Sequence, residues 1–542
     1  MSFREIDTRS ASKGAGRELQ TAFEKVNGNF DELYAVGSVA PAATGVAVTD
    51  TDALQAWITA CGVNATLHLR SGNTYVIDKG LTLLSGQKLI GHGAVLKRAA
   101  QVSTTTDTDV TSGVTNAITV ADAAGLRVGQ QIVLQTAVAA TYDTTARTIT
   151  DVTGDVVTIS GTFGITSTSQ FSVYSTFITL SLSQDSDVIG VAFDGNVANH
   201  AYGRWETTSE LYVYGSRCAI SACSFYDLPG EGIVESASTT DTINAATNAI
   251  TAGGTTAVLA SVDGFAVGDY VTVAQGAARE PMYHRITDIT GTTVTIASPG
   301  WWFASSSGTV NVYNGLFGCR YEGNTFNRVN GNGIHLSGSY GSRVRNNTVI
   351  NTNLNTDVGH VVGGIGWSNV STHTICSNNT LRNNYYGFGG IDSGDNSGLV
   401  IESNVIEDSV TNAVRIEYTG TDGYGPSDIT VTNNTIRSSG PVYIQCSGST
   451  TDQTKYLQNI TFSGNQMWKT KALFARCRGA VITNNRFYEL TAANTIILLY
   501  FYSPVNTVIS QNSFYGGETG ISLTSSGYGT AIVGNSFRSQ YY

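Results

Sequence analysis

Asp392 and Glu417 are the two acids whose placement best suits paired chemistry. Short segments align on a Gly-Ile-like start: GIVES at Gly232, GIHLS at Gly333, GIGWS at Gly364, GIDSG at Gly390, AVRIE at Ala413 and PVYIQ at Pro441. If each is a strand with its second residue inward, the third and fifth residues face outward. That outward row is His335, Gly366, Asp392 and Arg415, with Glu417 at the fifth place beside Arg415. On adjacent parallel strands Asp392 and Glu417 then stand diagonally, about 8 Å apart at the backbone. This separation suits an inverting hydrolysis, in which one carboxylic acid protonates the leaving oxygen and one carboxylate activates water. Asp395, just past the strand, is a substitute for either acid. The alternative is a surface ion pair between Arg415 and Glu417 with no catalytic role.

Groups that could bind substrate surround that row. His335 and Arg415 share it, and Tyr385, Tyr386 and Tyr424 are expected in turns, where a phenol ring can lie against a pyranose face. Trp301, Trp302 and Phe303 are expected at the tip of an insertion, either lining a sugar groove or packed against the body. Trp367, at a fourth position, should point inward. Asp357 and His360 belong to a long loop that could overhang the row. Glu206, Glu210, Glu231, Glu235, Glu402 and Glu407 are expected to be solvated surface carboxylates. Elimination next to a uronate is the runner-up chemistry, but the only lysines from residue 187 onward are Lys455, Lys469 and Lys471, away from the acids. There is no tight acidic cluster for calcium, and no P-loop, HExxH or GxSxG in its required context. No cofactor and no metal is expected.

These side chains need a scaffold that repeats. From about residue 187 the unit is a short alternating strand, Asn-x-apolar, a turn and a second strand. Its clearest copies begin at Asn324, Asn347, Asn379, Asn404, Asn434, Asn465, Asn485, Asn512 and Asn535, a mean spacing a little over 26 residues. Three residues before each Asn stands an apolar or aromatic residue: Tyr321, Val344, Cys376, Ile401, Val431, Phe462, Ile482, Ile509 and Ile532. Stacked coils would place each apolar residue above its copy, and successive Asn amides would bond as a buried ladder. The pattern lacks the 3.6-residue period of helices, the signature of leucine-rich repeats and the four strands of a propeller blade. It predicts an all-β chain, a right-handed parallel β-helix.

Composition agrees. Charged residues are 13% of the chain against 41% apolar, with 60 Gly and only 7 Pro, so the chain is folded and rich in strands rather than disordered. The net charge of −11 comes without a Lys/Arg cluster, which argues against nucleic acid and anionic membranes as partners. Thr495 to Tyr502 is the longest aliphatic-aromatic run, too short to insert in a membrane. The seven cysteines form no CxxC and are expected as buried thiols. The opening residues lack the apolar core of a signal peptide.

The division expected along the chain is a helical segment at 1–45, a capping helix and first coils at 46–100, an inserted β module at 101–175, coils at 176–237, a second inserted module at 238–315 and the main coils at 316–542. The modules resemble each other: GLRVGQQIVL at Gly125 parallels GFAVGDYVTV at Gly264, and RTITDVTGDVVTIS at Arg147 parallels HRITDITGTTVTIA at His284. In the first segment Leu19, Phe23, Val26, Phe30 and Leu33 make an a/d seam that closes against other helices; one amphipathic helix lying on its own domain fits equally.

Residues 49–93 (TDTDALQAWITACGVNATLHLRSGNTYVIDKGLTLLSGQKLIGHG) resemble the opening of pectate-lyase-like β-helices, with a capping helix at 52–61 and first strands at 67–69 and 74–77. TAFEKVNGNFDELY resembles a segment found at the head of phage tail proteins. Together with the Asn repeats, these features resemble the bacteriophage tailspike family over most of the chain. The resemblance lies in architecture more than in a catalytic signature. It implies a homotrimer, attached through its N-terminus to a phage tail or baseplate protein. It also implies that the protein is located in the virion tail, is made in the bacterial cytoplasm and acts at the cell surface. Its partner would be a bacterial surface polysaccharide (O-antigen, capsule or exopolysaccharide), cleaved by endo-glycosidic hydrolysis, with a lyase or a non-catalytic receptor-binding spike as alternatives.

Overall fold

The computed structural model describes residues 37–136, 146–166, 171–200, 208–236, 243–246, 250–251, 253–275, 278–279, 283–297, 301, 311–352, 363–368, 371–390, 397–418, 427–446, 456–488, 497–516, 519–524 and 528–538. Among them three long parallel sheets wind around one core, with 14 strands in sheet A, 13 in sheet B and 12 in sheet C. Each coil contributes one strand to each sheet in the order A, B, C: Arg320–Glu322, Thr325–Val329 and Ile334–Ser337 make one coil. The chain is the right-handed parallel β-helix that the repeats predict.

The corner between sheets A and B explains the sequence signature. From Asn347 to Asn512 each ladder Asn is buried, and its Oδ1 accepts bonds from the backbone N–H and the Nδ2 of the Asn one coil before. Asn434 Oδ1 accepts from Asn404 N and Asn404 Nδ2, both at 3.0 Å. Asn434 Nδ2 in turn donates to Ile401 O at 2.9 Å and to Asn465 Oδ1 at 3.0 Å. The ladder runs unbroken from Asn324 to Asn535. It begins where the Asn is replaced, with the Cys223 amide donating to Asn324 Oδ1. The residue before each ladder Asn has a positive φ, for example Asn346 at 56° and Asn433 at 56°. This left-handed turn favours Asn and Gly, hence the repeated Asn-Asn pairs.

Inside the coils, like stacks on like. Phe193, Phe225 and Phe326 stack along sheet B with centroids 4.8 and 4.5 Å apart, and Phe487, Phe514 and Phe537 repeat the stack at 5.0 Å. Tyr321, Val344, Cys376 and Ile401 line up in the same way on sheet A, fully buried. Six of the seven cysteines are buried free thiols of this kind, and Cys61 is half-buried.

Helix α1 (Ala47–Cys61) covers the first coils with Leu54 and Ile58, and begins five residues before the expected Asp52. The reason is Asp50. Its carboxylate accepts bonds from the Thr44 and Gly45 amides, the Thr44 hydroxyl and the Val76 amide, which ties the helix start to the first coil. Burial opposes ionisation of this carboxyl, but the bonds outweigh it and hold its pKa below the usual value. The first strands are Thr66–His68 and Thr74–Ile77.

Two antiparallel sheets leave the solenoid. One has six strands between Ser103 and Thr176, and the other eight, mainly between Ile243 and Phe317. Each has its own apolar core. Both contain a β-bulge at the same place, between Ile149 and Asp151 and between Ile286 and Asp288.

Candidate active site

The outer face of sheet C carries the chemistry, and strand register fixes its rows. Ile233, Ile334, Ile365, Phe388, Val414 and Val442 share one inward row. The next residues outward are Val234, His335, Gly366, Gly389, Arg415 and Tyr443. Two places further along lie Ser337 beside Ser368, and Glu417 beside Gln445.

This register corrects the expected acid row. Gly389, not Asp392, pairs with Arg415. The coil starts at Gly387-Phe388, because Phe388 is the residue that fills the interior and stacks on Trp367, 6.3 Å away. Asp392 therefore follows the row by three residues. Asp392, Asp395, Tyr424 and Trp302 lie outside the described residues, as do Asp357, His360, Phe303, Glu206 and the seam at residues 19–33.

Glu417 is buried, with both carboxylate oxygens engaged. Arg415 Nε donates to Oε2 at 2.9 Å and its Nη2 reaches the same oxygen, while Gln445 Nε2 donates to Oε1 at 2.8 Å. Arg415 Nη1 donates to Tyr386 Oη at 2.9 Å, and the guanidinium lies 5.6 Å from that ring's centre. The expected alternative, an ion pair between Arg415 and Glu417, is thus present, though largely shielded from water. Burial works against the Arg415 charge, but Glu417 outweighs it and raises the guanidinium pKa further. Burial pushes the Tyr386 phenol up, opposed by Arg415. Tyr386 opens a strand rather than a turn and is only 4% exposed, while Tyr385 is half-buried and edge-on to it. Neither Tyr386 nor His335 offers an open face to a sugar. Trp301 is corrected as well: it is buried in the core of the second antiparallel sheet, with its indole N–H donating to Thr256 O. Trp367 is a core residue, as its fourth position requires.

A second cluster lies three coils earlier. Glu231, Asn332 and His335 are buried although they belong to the outer face. Asn332 Nδ2 donates to Glu231 Oε1 at 2.6 Å, and Asn332 Oδ1 accepts from the Gly363 amide at 2.6 Å. His335 Nδ1 lies 3.0 Å from Glu231 Oε1 and 3.2 Å from Oε2, while its Nε2 lies 2.8 Å from Ser368 Oγ. Burial lowers the His335 pKa, but the Glu231 carboxylate outweighs it and raises the imidazole above its ordinary value. Glu231 was expected at the solvated surface. It is 0% exposed, as is Glu235, and Glu210 is 1% exposed against Arg98.

Between the two clusters the third-position row consists of glycines, both of them buried. Gly366 and Gly389 separate His335 from Arg415, a span of three coils or roughly 14 Å at the spacing of parallel strands. At Gly366 the Asn332 carboxamide occupies the place of a side chain: a Cβ there would come within 2.6 Å of Asn332 Oδ1, so any larger residue would displace Asn332. The result is a glycine floor, covered at Gly366 by the Asn332 carboxamide, with a cation and a carboxylate at one end and a Glu-His-Ser array at the other.

Glu235 faces the opposite way, into the solenoid, where Tyr321 Oη and Ser342 Oγ donate to its two oxygens at 2.8 Å each. Burial raises its pKa from 4.5 to about 7. Between those values the folded chain keeps a proton that the unfolded chain releases, so stability should fall as pH rises from about 4.5 to about 7. The expected loss is about 3 kcal/mol at about 1.4 kcal/mol per pKa unit. Denaturant titrations at pH 5 and pH 8 check this. Glu235→Gln should flatten the difference, and an unchanged slope in that variant would remove Glu235 as its source.

A family model described as the right handed beta helix region matches residues 363–537. No significant match is found among curated proteins. Among solved structures, the chain is similar to the A-module of a mannuronan C-5 epimerase from Azotobacter vinelandii (12% identity, TM-score 0.44, 90% of this chain and 94% of that one). It is also similar to PfbA, a surface adhesin of Streptococcus pneumoniae (12% identity, TM-score 0.43, 90% and 86%). A third similar structure is the tailspike of Pseudomonas phage phi297 (13% identity, TM-score 0.32, 99% and 73%).

Proposed function

We propose that this protein binds a bacterial surface polysaccharide along the outer face of sheet C and hydrolyses its glycosidic bonds, as a phage tailspike does. The observation that carries the reading is the glycine floor of Gly366 and Gly389, bounded by the Arg415–Glu417–Tyr386 cluster. A ligand lying along the solenoid axis would meet Asn332 over Gly366 and the charged groups beside Gly389, which would fix its register. In this reading Glu417, held in place by Arg415 and Gln445, is the carboxylate that takes a proton from water. The acid partner comes from the segment after Gly390, which pairs with Ile416 next to Glu417 and is followed by Asp392 and Asp395. Arg415 is hydrogen-bonded to Glu417 and can receive an anionic sugar or a developing negative charge. In this reading three copies assemble through the N-terminal segment, which also joins the particle; a solution mass of one chain would count against that arrangement.

The test is incubation with surface polysaccharides, scored by new reducing ends and by chain length. Reducing ends and short oligosaccharides support hydrolysis. Products carrying an unsaturated terminal sugar would assign elimination instead. Binding without shortening would leave a receptor-binding spike.

A further inference from the structure

We infer that Ser368, His335 and Glu231 form a serine-nucleophile triad that hydrolyses ester groups carried by the glycan held on sheet C. The substrate class rests on the proposed function; the triad itself rests on geometry. Three strands on successive coils supply the residues: Glu231 opens Glu231–Ser236, His335 lies in Ile334–Ser337 and Ser368 ends Gly363–Ser368. The contacts run in the order such chemistry needs, with Ser368 Oγ 2.8 Å from His335 Nε2 and His335 Nδ1 3.0 Å from Glu231.

Exposure follows the same order. Glu231 is 0% exposed, His335 6%, and Ser368 half-buried, so the acid is sealed and the serine is the member with surface open to solvent. Glu231 is fixed by Asn332, which is itself fixed by the Gly363 amide. With Nδ1 carrying a proton toward Glu231, Nε2 is left as the acceptor for the Ser368 hydroxyl. Gly366, the strand neighbour of His335, has no side chain to stand between the imidazole and Ser368.

The proposed reaction is as follows. Ser368 Oγ attacks the ester carbonyl carbon and its proton passes to His335 Nε2. The C–O bond to the sugar breaks, and the sugar oxygen takes the proton from Nε2, leaving an acyl group on Ser368. Water then attacks that acyl group, giving its proton to Nε2, and the serine leaves with it. The sum is ester plus water giving alcohol plus carboxylic acid, with no other reactant.

Two measurements on the full chain test the triad. A fluorophosphonate probe should add once, at Ser368, as located by peptide mass mapping, and should not add to Ser368→Ala. Turnover of p-nitrophenyl acetate should fall about 1000-fold or more in Ser368→Ala and His335→Ala, and at least about 100-fold in Glu231→Gln, with thermal unfolding of each variant recorded to confirm the fold. Ser368 left unlabelled in the wild-type protein, or wild-type turnover by folded Ser368→Ala, overturns the proposal. The substrate is tested on an O-acetylated polysaccharide. Acetate released without new reducing ends supports the esterase and counts against chain cleavage. New reducing ends with every acetyl retained overturn the assigned ester substrate and leave chain cleavage standing.

Discussion

Asn434→Ala should lower the unfolding free energy by about 4 kcal/mol. Four hydrogen bonds end on this one side chain: two accepted from Asn404, one donated to Ile401 O and one donated to Asn465 Oδ1. The site is 0% exposed, so no water replaces them at the corner. A buried polar group left without a partner costs about 1–3 kcal/mol, and the Asn404 amide, Asn404 Nδ2 and Ile401 O would each lose one bond. Asp and Leu should fare no better, the first because it brings a charge and lacks the amide donor, the second because it satisfies none of the four groups. Denaturant unfolding followed by far-ultraviolet dichroism gives the number. A loss under about 1 kcal/mol would mean that the ladder is not what holds this corner.

The second large effect is expected at Arg415. Replacing it with Ala removes the bonds to Glu417 Oε2 and to Tyr386 Oη, leaving Gln445 on the other oxygen of a carboxylate that is 8% exposed. Removing one partner of a buried pair costs about 3–5 kcal/mol. Depolymerisation should fall by about 100-fold or more, since the carboxylate loses both its charge partner and its position. Arg415→Lys should recover part of the stability, because the charge returns without the forked geometry. The double change Arg415→Met with Glu417→Gln separates the two effects, since it removes both charges at once. It should restore most of the stability and none of the activity. Wild-type cleavage by that folded double variant would take this pair out of the site.

Much of the solenoid was legible because every coil must solve the same corner. From Asn324 to Asn512 the ladder Asn, the residue three before it and the residue two after it are each buried in a fixed environment, so their types repeat. The sheet C register was less legible because a Gly-apolar dipeptide is short and occurs twice in one stretch, at Gly387 and at Gly390. Counting from the ladder Asn would have chosen between them. Gly333 follows Asn324 by nine residues and Ala413 follows Asn404 by nine, while Gly387 follows Asn379 by eight and Gly390 by eleven. The slip carried Asp392 into a row that belongs to Gly389. Alternation also places Glu235 inward, by the same rule that places Trp367 there, yet a carboxyl in an apolar core is legible only once Tyr321 and Ser342 are seen to bond it. The Glu231, His335 and Ser368 cluster had no local signature. Its members are 104 and 33 residues apart in sequence and meet only because coils stack.

The most direct test of glycan processing on sheet C is a crystal structure of the protein with an oligosaccharide cut from a surface polymer that it binds. Sugar rings should lie over Gly366 and Gly389, with Arg415 and Glu417 in hydrogen-bond contact. An oligosaccharide seated on either antiparallel sheet, or on sheets A or B, with that glycine floor empty, would contradict the assignment of the site.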